Sequence, residues 1–347
     1  MKTTCPTTRL VLTASVAVLC AFSAAPARAG LSFVQSFGTQ GSGSGQFSNP
    51  VSVAVDSAGN VYVADYANSQ IVRFNPTNFA GTFTSFGSYG SGSGQFRNMN
   101  GITVDSAGNV YVADYGNNRI DRFNPTNFVG TFTSFGSQGS GSGKFDGPSG
   151  VTVDSSGNVV VADLNNNRID RFNPTNFAGT FTSFGSYGNG SGQFNNPNGI
   201  TVDSAGYIYV ADTRNHRIDR FNPTNFAGTF TAFGSYGTDS GQFIDPTGLA
   251  VDGAGKVYVA DYDNHRIDSF DPTNFAGTFA SFGNYGSANG QFNEPAGVAV
   301  DGAGNVYVVD QGNSRIVKLT GAATAPEPAS AALLLCGTAL LTLRRRR

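Results

Sequence analysis

Six aspartates recur at one position of a repeated sequence, and such a set of carboxylates could hold a metal ion or a substrate. They are Asp65, Asp114, Asp163, Asp212, Asp261 and Asp310. In five copies an arginine follows, namely Arg119, Arg168, Arg217, Arg266 and Arg315, whereas the first copy has Gln70. An aspartate at a strand end also accepts backbone N–H groups of its own loop, and arginine can hold a carboxylate through two hydrogen bonds. Because a site used once does not need six copies, we expect a structural role.

The two histidines, His216 and His265, lie in adjacent copies of the repeat. A histidine pair can bind zinc or transfer protons, but a zinc site takes three or four protein ligands. The three cysteines, Cys5, Cys20 and Cys336, are confined to the terminal segments. We therefore expect exposed loop histidines, with no bound metal or cofactor and no catalytic residue.

A 49-residue repeat positions all of these side chains. Its six copies are marked by Asp56, Asp105, Asp154, Asp203, Asp252 and Asp301, without an insertion or deletion between them. In the second copy, stretches 101–104, 110–114, 119–123 and 130–135 are short, rich in β-branched and aromatic residues, and bounded by turn residues. This pattern predicts strands joined by tight turns, and four antiparallel strands make one blade of a β-propeller.

The ends of the repeat predict how the ring closes. Residues 51–319 contain six copies of the first three strands but five of the fourth, and residues 31–38 match the missing one. We therefore predict an all-β protein, a six-bladed propeller over residues 30–320, in which the N-terminal strand completes the last blade. A closed ring leaves no open sheet edge.

One face of such a propeller carries the variable loops. There the connections between second and third strands differ between copies, whereas Asn-Pro-Thr-Asn-Phe recurs almost unchanged on the other face. Divergence after duplication suggests ligand contact, and neutral drift in exposed loops is the alternative. Aromatic and arginine side chains often carry binding energy. The candidate binding residues are Tyr66, Tyr115, Arg214, His216, Tyr262, Asp263 and His265.

Residues 1–29 have the form of a secretory signal peptide, with a basic start, an apolar stretch and an Ala-Arg-Ala site that predicts cleavage after Ala29. Lipidation at Cys20 is the alternative. Residues 30–325 carry 14 basic and 22 acidic side chains, a formal charge of −8 that repels nucleic acid.

The repeat resembles the NHL repeat. Residues 105–114, 117–120 and Phe123 carry the likeness, and the Asn-His-Arg-Ile stretches at 215–218 and 264–267 are close to the motif that names the family. The resemblance implies a six-bladed propeller. The repeat length of 49 and the presence of Gln70 depart from the family pattern. Related propeller lyases use more histidines for zinc, and calcium-dependent lactonases use a glutamate ligand, whereas Glu294 is the one glutamate of the body.

The tail, residues 321–347, resembles the PEP-CTERM sorting signal. Pro326, Glu327 and Pro328 precede an apolar stretch at 329–343 and four arginines at 344–347. The resemblance implies recognition and cleavage by an exosortase, transient contact with the inner membrane, and delivery to the outer surface or extracellular matrix of a Gram-negative bacterium. The alternative is a short transmembrane helix that keeps its arginines in the cytoplasm.

We expect a binding scaffold and not an enzyme. The variable face would engage a surface protein or a polysaccharide. The alternative is an extracellular metal-dependent hydrolase or lyase that uses an aspartate-lined central channel. A purely architectural role also fits the sequence.

Overall fold

A computed structural model describes residues 30–321, which form six four-stranded antiparallel blades. This confirms the predicted six-bladed all-β propeller. The signal peptide with its cleavage at Ala29, and the sorting motif Pro326, Glu327 and Pro328, lie outside the described residues and stay predictions.

Each blade runs from the central channel to the rim. The inner strands are Pro50–Val55, Met99–Val104, Pro148–Val153, Pro197–Val202, Pro246–Val251 and Pro295–Val300. The second strands are Val61–Asp65, Val110–Asp114, Val159–Asp163, Ile208–Asp212, Val257–Asp261 and Asn305–Asp310. The third strands are Gln70–Phe74, Arg119–Phe123, Arg168–Phe172, Arg217–Phe221, Arg266–Phe270 and Arg315–Gly321. The outer strands of blades 1 to 5 are Thr84–Phe86, Thr133–Phe135, Thr182–Phe184, Thr231–Phe233 and Ala280–Phe282.

The N-terminal strand closes the ring, as predicted. Leu31–Phe37 is the outer strand of blade 6 and pairs antiparallel with Arg315–Gly321. It has seven residues, whereas the other outer strands have three. The longer pairing suits the one blade whose outer strand is not covalently continuous with its third strand.

The connection to the outer strand corrects one prediction. The expected strand at 130–135 begins at Thr133, because Phe128–Thr131 is a helical turn whose cap Asn127 accepts the N–H of Gly130. Blades 1 to 5 all have this turn: Phe79–Thr82, Phe128–Thr131, Phe177–Thr180, Phe226–Thr229 and Phe275–Thr278. Three loops contain a 3-10 turn: Tyr115–Asn117, Thr213–Asn215 and Gln311–Asn313. Short parallel pairs form between blades: Thr39–Gln40 with Gln46–Phe47, Ser88–Tyr89 with Gln95–Phe96, and Ser186–Tyr187 with Gln193–Phe194.

Six apolar cores hold the ring together, one between each pair of neighbouring blades. Second strands such as Val110–Asp114 are buried on both faces, because each blade packs against two others. Phenylalanines fill the space between blades; the ring of Phe86 in blade 1, for example, lies 5.9 Å from that of Phe123 in blade 2. Within residues 30–321 no helix is long and apolar enough to cross a membrane.

Candidate binding face and central channel

The loops divide into two faces. We call upper the face that holds the loops between second and third strands and the loops that enter each inner strand. The other loops and both ends of the described chain lie on the lower face, where Leu31 pairs with Gly321. Hydrogen bonds tie the two kinds of upper loop together, as when Asn117 Nδ2 donates to the carbonyl of Gly90 at 2.9 Å.

The six repeat aspartates fix these upper loops. Each is fully buried, and Asp114 accepts the N–H of Arg97 at 2.8 Å and a bond from Asn117 Nδ2 at 2.6 Å. The expectation that such an aspartate accepts N–H groups of its own loop is corrected, because Arg97 belongs to the loop that enters the blade. The channel walls do not include these aspartates, so an aspartate-lined channel is wrong too.

Arginines lie beside these carboxylates in five blades. Arg119 Nε lies 3.3 Å from Asp114 and 2.9 Å from Asp121, and its Nη atoms donate to the carbonyls of Ser91 and Gln95. Burial raises the pKa of Asp121 to about 8, against the opposing effects of Ser134 and Arg119. Blades 2 to 5 share this arrangement, which we call the buried triad: Asp114, Arg119 and Asp121; Asp163, Arg168 and Asp170; Asp212, Arg217 and Asp219; and Asp261, Arg266 and Asp268. In each of these blades the arginine pairs with both buried acids, which supports a structural role.

Five of the seven candidate binding residues meet on the upper face of blades 4 to 6. Arg214 is exposed and donates to the carboxylate of Asp245 at 2.9 Å. His216 Nδ1 accepts the N–H of Asp245 at 3.1 Å, and its ring lies 4.9 Å from that of Tyr236. The histidine is about one quarter exposed, so the prediction of an exposed loop histidine is wrong. It bridges two blades, because Asp245 directly precedes the inner strand of blade 5.

The next pair of blades repeats this contact. His265 Nδ1 accepts the N–H of Glu294 at 3.0 Å, and Tyr262 donates its hydroxyl to Glu294 at 3.0 Å. Burial and the Glu294 carboxylate raise the pKa of Tyr262, so its hydroxyl stays protonated. Partial burial of its carboxyl group and the nearby Asp245 carboxylate raise the pKa of Asp263, although the residue as a whole is exposed. These side chains form one mixed polar surface.

Tyr66 and Tyr115 lie on the other side of the same face. Both are half-buried and occupy the first position of their loops, in blades 1 and 2. Tyr115 packs over Gly147, where a side chain would collide with its ring at 2.6 Å, and next to Asn165. The structure therefore brings five candidates together and places two apart.

Four exposed tyrosines were not among the candidates. They lie in the loops that enter blades 2, 4, 5 and 6 and are 64–68 % exposed: Tyr89, Tyr187, Tyr236 and Tyr285. Gln40 and Gln138 occupy the equivalent places. The occurrence of tyrosine in four copies and glutamine in two, at one position of the repeat, was a signal that the sequence already offered.

The upper part of the central channel is a cavity of about 320 Å³. Its walls are the beginnings of the six inner strands, and Tyr262 and Gln311 stand at the upper end. Six aliphatic side chains line both this cavity and a smaller one below it: Val53, Ile102, Val151, Ile200, Leu249 and Val298. They are at most 7 % exposed, so they separate the two cavities.

The cavity wall has two chemically different sides. Blades 2 to 5 contribute what we call the polar arc: Asn100, Ser149, Asn198 and Thr247. Blades 6 and 1 contribute Ala296 and Val51, the apolar arc. All six follow the first residue of an inner strand. Sequence reasoning missed this set because it compared loops only, although Val, Asn, Ser, Asn, Thr and Ala at one position of a uniform repeat mark a divergent site.

Glycine next to these residues brings the inner strands together. A Cβ on Gly199 would lie 2.0 Å from the carbonyl oxygen of Thr247, far inside van der Waals contact. The equivalent glycines of blades 2, 3 and 5 also abut the next blade, whereas blade 1 has Ser52, whose Oγ accepts the N–H of Ile102 at 3.2 Å. Close packing at the glycines keeps the cavity narrow.

The architecture defines a closed β-propeller with six blades and four strands in each. The chain is built of NHL repeats: the NHL repeat profile matches residues 47–74, 96–123, 145–172, 194–221, 243–268 and 292–319. Each match runs from the end of an entering loop into the third strand of its blade. The predicted NHL resemblance is thereby confirmed. A search of curated proteins finds no match to the sequence.

Solved structures with the same fold include binding proteins and enzymes. An auxiliary nutrient binding protein from Bacteroides thetaiotaomicron is 15 % identical, with a TM-score of 0.62 over 84 % of this chain and 76 % of the other. A gluconolactonase from Xanthomonas campestris is 14 % identical, with a TM-score of 0.60 over 79 % and 86 %. Virginiamycin B lyase from Staphylococcus aureus is 19 % identical, with a TM-score of 0.55 over 82 % and 94 %. At these identities the likeness extends to the fold alone.

Proposed function

We propose that this chain is an exported, non-catalytic binding propeller whose upper face engages a polysaccharide at the bacterial surface. The observation that carries the proposal is the row of exposed tyrosines Tyr187, Tyr236 and Tyr285 on the loops entering three adjacent blades. Their solvent-exposed rings offer apolar faces for stacking and hydroxyls for hydrogen bonds. Tyr236 and Tyr285 also rest against His216 and His265, which limits their motion.

The ends of the described chain lie away from the proposed site. Leu31 and Gly321 pair on the lower face, so the tyrosines on the upper face are not near either end.

The chemistry of the upper face favours a neutral polymer over a nucleic acid. Arg214 is already paired with Asp245, while Asp263 and Glu294 add negative charge nearby. Phosphate backbones are repelled by such a surface. An auxiliary nutrient binding protein has the same fold, which supports a binding role for this chain.

The test is binding of the purified chain to neutral polysaccharides, including extracellular polysaccharide from the bacterium that encodes it, measured by co-sedimentation. We expect the triple variant Tyr187→Ser, Tyr236→Ser, Tyr285→Ser to lose roughly tenfold or more in affinity, since each exposed aromatic contact contributes on the order of 1 kcal/mol.

Tyr89→Ser is the matched control, because Tyr89 is as exposed as the others but enters blade 2, away from the row. Equal binding by the wild type and the triple variant would reject the tyrosine row as the site. Release of shortened or unsaturated products from the polysaccharide would instead establish an enzyme.

A further inference from the structure

The upper channel cavity has the properties of a binding site that is distinct from the tyrosine row. Its volume of about 320 Å³ lies at the lower end of the range for small-molecule pockets, about 300–1,000 Å³. The aliphatic side chains beneath it, such as Val53 and Leu249, are almost fully buried and lie between it and the lower cavity. A ligand must therefore enter from the upper face and end inside, so the cavity admits a single small unit and not the middle of a polymer.

A directed chain of hydrogen bonds crosses the polar arc. Asn100 Nδ2 donates to Ser149 Oγ at 3.2 Å, and Ser149 Oγ donates to Asn198 Oδ1. Within residues 30–321, Asn100 Oδ1 and Asn198 Nδ2 have no hydrogen-bond partner, and neither is a buried atom. One acceptor and one donor are thus available on the same wall, on either side of Ser149.

On the opposite wall the polar side chains are Ser52, which already accepts the N–H of Ile102, and Gln311 at the upper end, which already donates to Asn49. Ala296 and Val51 form the apolar arc, and the cavity lining contains no carboxylate, lysine, arginine or histidine. Its matching ligand therefore has no charge, carries neighbouring donors and acceptors on one edge, and has an apolar face. A pyranose ring has these properties, with hydroxyls around its edge and C–H groups on its face.

We propose that the upper channel cavity binds one uncharged pyranose sugar, seated with its hydroxyls on Asn100 and Asn198 and its C–H face on Ala296 and Val51. This rests on the proposed function, and it identifies the unit that is recognised as the end of a chain. The tyrosine row would contact the following units. A free monosaccharide and the terminal sugar of a glycan present the same chemistry to the cavity.

The experiment is a titration of the full chain with methyl glucoside, methyl galactoside, methyl mannoside and N-acetylglucosamine, followed by isothermal calorimetry and ligand-observed NMR. Glucuronate serves as the charged counterpart. We expect at least one neutral sugar to bind in the millimolar range, as a ligand of this size allows, and glucuronate not to bind. An oligosaccharide that ends in the same sugar distinguishes the two sources. If the ligand is the end of a glycan, the oligosaccharide binds more tightly than the monosaccharide. If the ligand is a free sugar, the oligosaccharide binds no more tightly.

Two variants test the proposed contacts of the sugar with the cavity wall. Asn198→Ala removes the donor and is expected to weaken sugar binding roughly tenfold, while Asn195→Ala, in the loop entering the same blade, has no effect. Ala296→Leu fills the cavity from the apolar side, leaves the hydrogen-bonded chain intact and is expected to abolish binding. It keeps the test decisive if Asn198→Ala misfolds.

Binding of no neutral monosaccharide, or unchanged binding by both variants, would overturn the cavity proposal. Retained polysaccharide binding in that case leaves the tyrosine row as the site, so the two proposals fail separately. Loss of polysaccharide binding in the tyrosine variant, with monosaccharide binding intact, supports both proposals and shows that the two sites are separate.

Discussion

Blades 2 to 5 differ from blades 6 and 1, the two blades at the ring closure, in the residue at one buried position of the third strand. In blade 3, Arg168 lies between two fully buried aspartates, 3.1 Å from Asp163 and 3.0 Å from Asp170. Ser183 on the outer strand donates to Asp170 as well. One arginine faces two acids, so one carboxyl favours its neutral form, and burial raises the pKa of Asp170 to about 8.

Blades 6 and 1 have valine in place of the second aspartate. In blade 6, Val317 leaves Arg315 paired with Asp310 alone, at 2.7 Å. In blade 1 the arginine is also absent, and Gln70 stands near Asp65. Neither closing blade has the extra acid. The apolar arc of the channel belongs to these same two blades. Blades 6 and 1 are therefore more apolar than the others both at the channel wall and at the triad position of the third strand.

The difference has a physical reason in blade 6. Its outer strand, Leu31–Phe37, is held to the rest of the blade by hydrogen bonds and packing alone. A buried, uncompensated carboxyl weakens a structure, whereas valine at the same place adds apolar burial without desolvating a charge. A second buried acid, in addition to the repeat aspartate, occurs only in blades whose outer strand is covalently continuous with the third strand.

Removing the arginine should have the largest effect. Arg168→Gln leaves Asp163 and Asp170 together without a cation, and we expect the free energy of unfolding at pH 7 to fall by about 3–5 kcal/mol. Urea unfolding followed by fluorescence or circular dichroism gives the value.

Arg315→Gln is the matched variant, because it reproduces the Gln and Val arrangement of blade 1. It loses similar bonds to loop carbonyls but leaves one acid and not two, so we expect a loss of about 2 kcal/mol. Equal losses from the two variants would show that the second carboxylate adds no cost and that the comparison between the blades is wrong.

The pH dependence of stability should follow the second aspartate. The folded pKa of Asp170, about 8, is above its unfolded value, so its contribution to stability is present at low pH and is lost as pH rises toward 8. Asp170→Val removes this loss. Relative to the wild type, we expect the variant to gain about 1–3 kcal/mol between pH 5 and pH 8.

The reverse exchange in blade 6 sharpens the same test. Val317→Asp places a second acid beside Arg315 and should make stability fall over the same pH window. Parallel pH profiles of stability for the wild type and both variants would contradict the inference that one carboxyl of the buried triad favours its neutral form.

Much of the fold could be predicted from the repeat itself. The spacing of Asp105 and its equivalents defined the blades, and the match of residues 31–38 to the fourth strand defined the closure. The helical turn Phe128–Thr131 was missed, because its Gly-Thr-Phe sequence is as typical of a strand as of a capped turn. Asn127 supplied the signal of a helix cap.

The candidate site was less accessible to sequence reasoning. The polar arc depends on which side of each inner strand faces the channel, and closely spaced residues such as Asn100 and Ile102 both contribute to its wall. His216 was expected to be an exposed loop residue because too few further ligands are available for a zinc site. Its burial comes from the next blade, through Asp245 and Tyr236, and such contacts between copies are not visible within one repeat. The seven binding candidates stay predictions.

Blade 4 offers the smallest test, because it has lost one bond that the other triads keep. Ala232 stands where Ser134, Ser183 and Ser281 donate to the second aspartate. Asp219 Oδ1 is consequently buried without a hydrogen bond, although Arg217 Nε lies 3.0 Å from it, and burial raises the pKa of Asp219 to about 9.

Ala232→Ser should restore that bond and stabilise the protein by about 1 kcal/mol at pH 8. Because the hydroxyl donates to the charged form, the pKa of Asp219 should also fall toward that of Asp121, and the decline of stability with rising pH should end at a lower pH. Ala280→Ser is the control, since it faces Ser269 across the strands of blade 5 and no carboxylate. A gain from Ala280→Ser as large as that from Ala232→Ser would mean that added polarity at the rim, and not the missing bond to Asp219, is responsible.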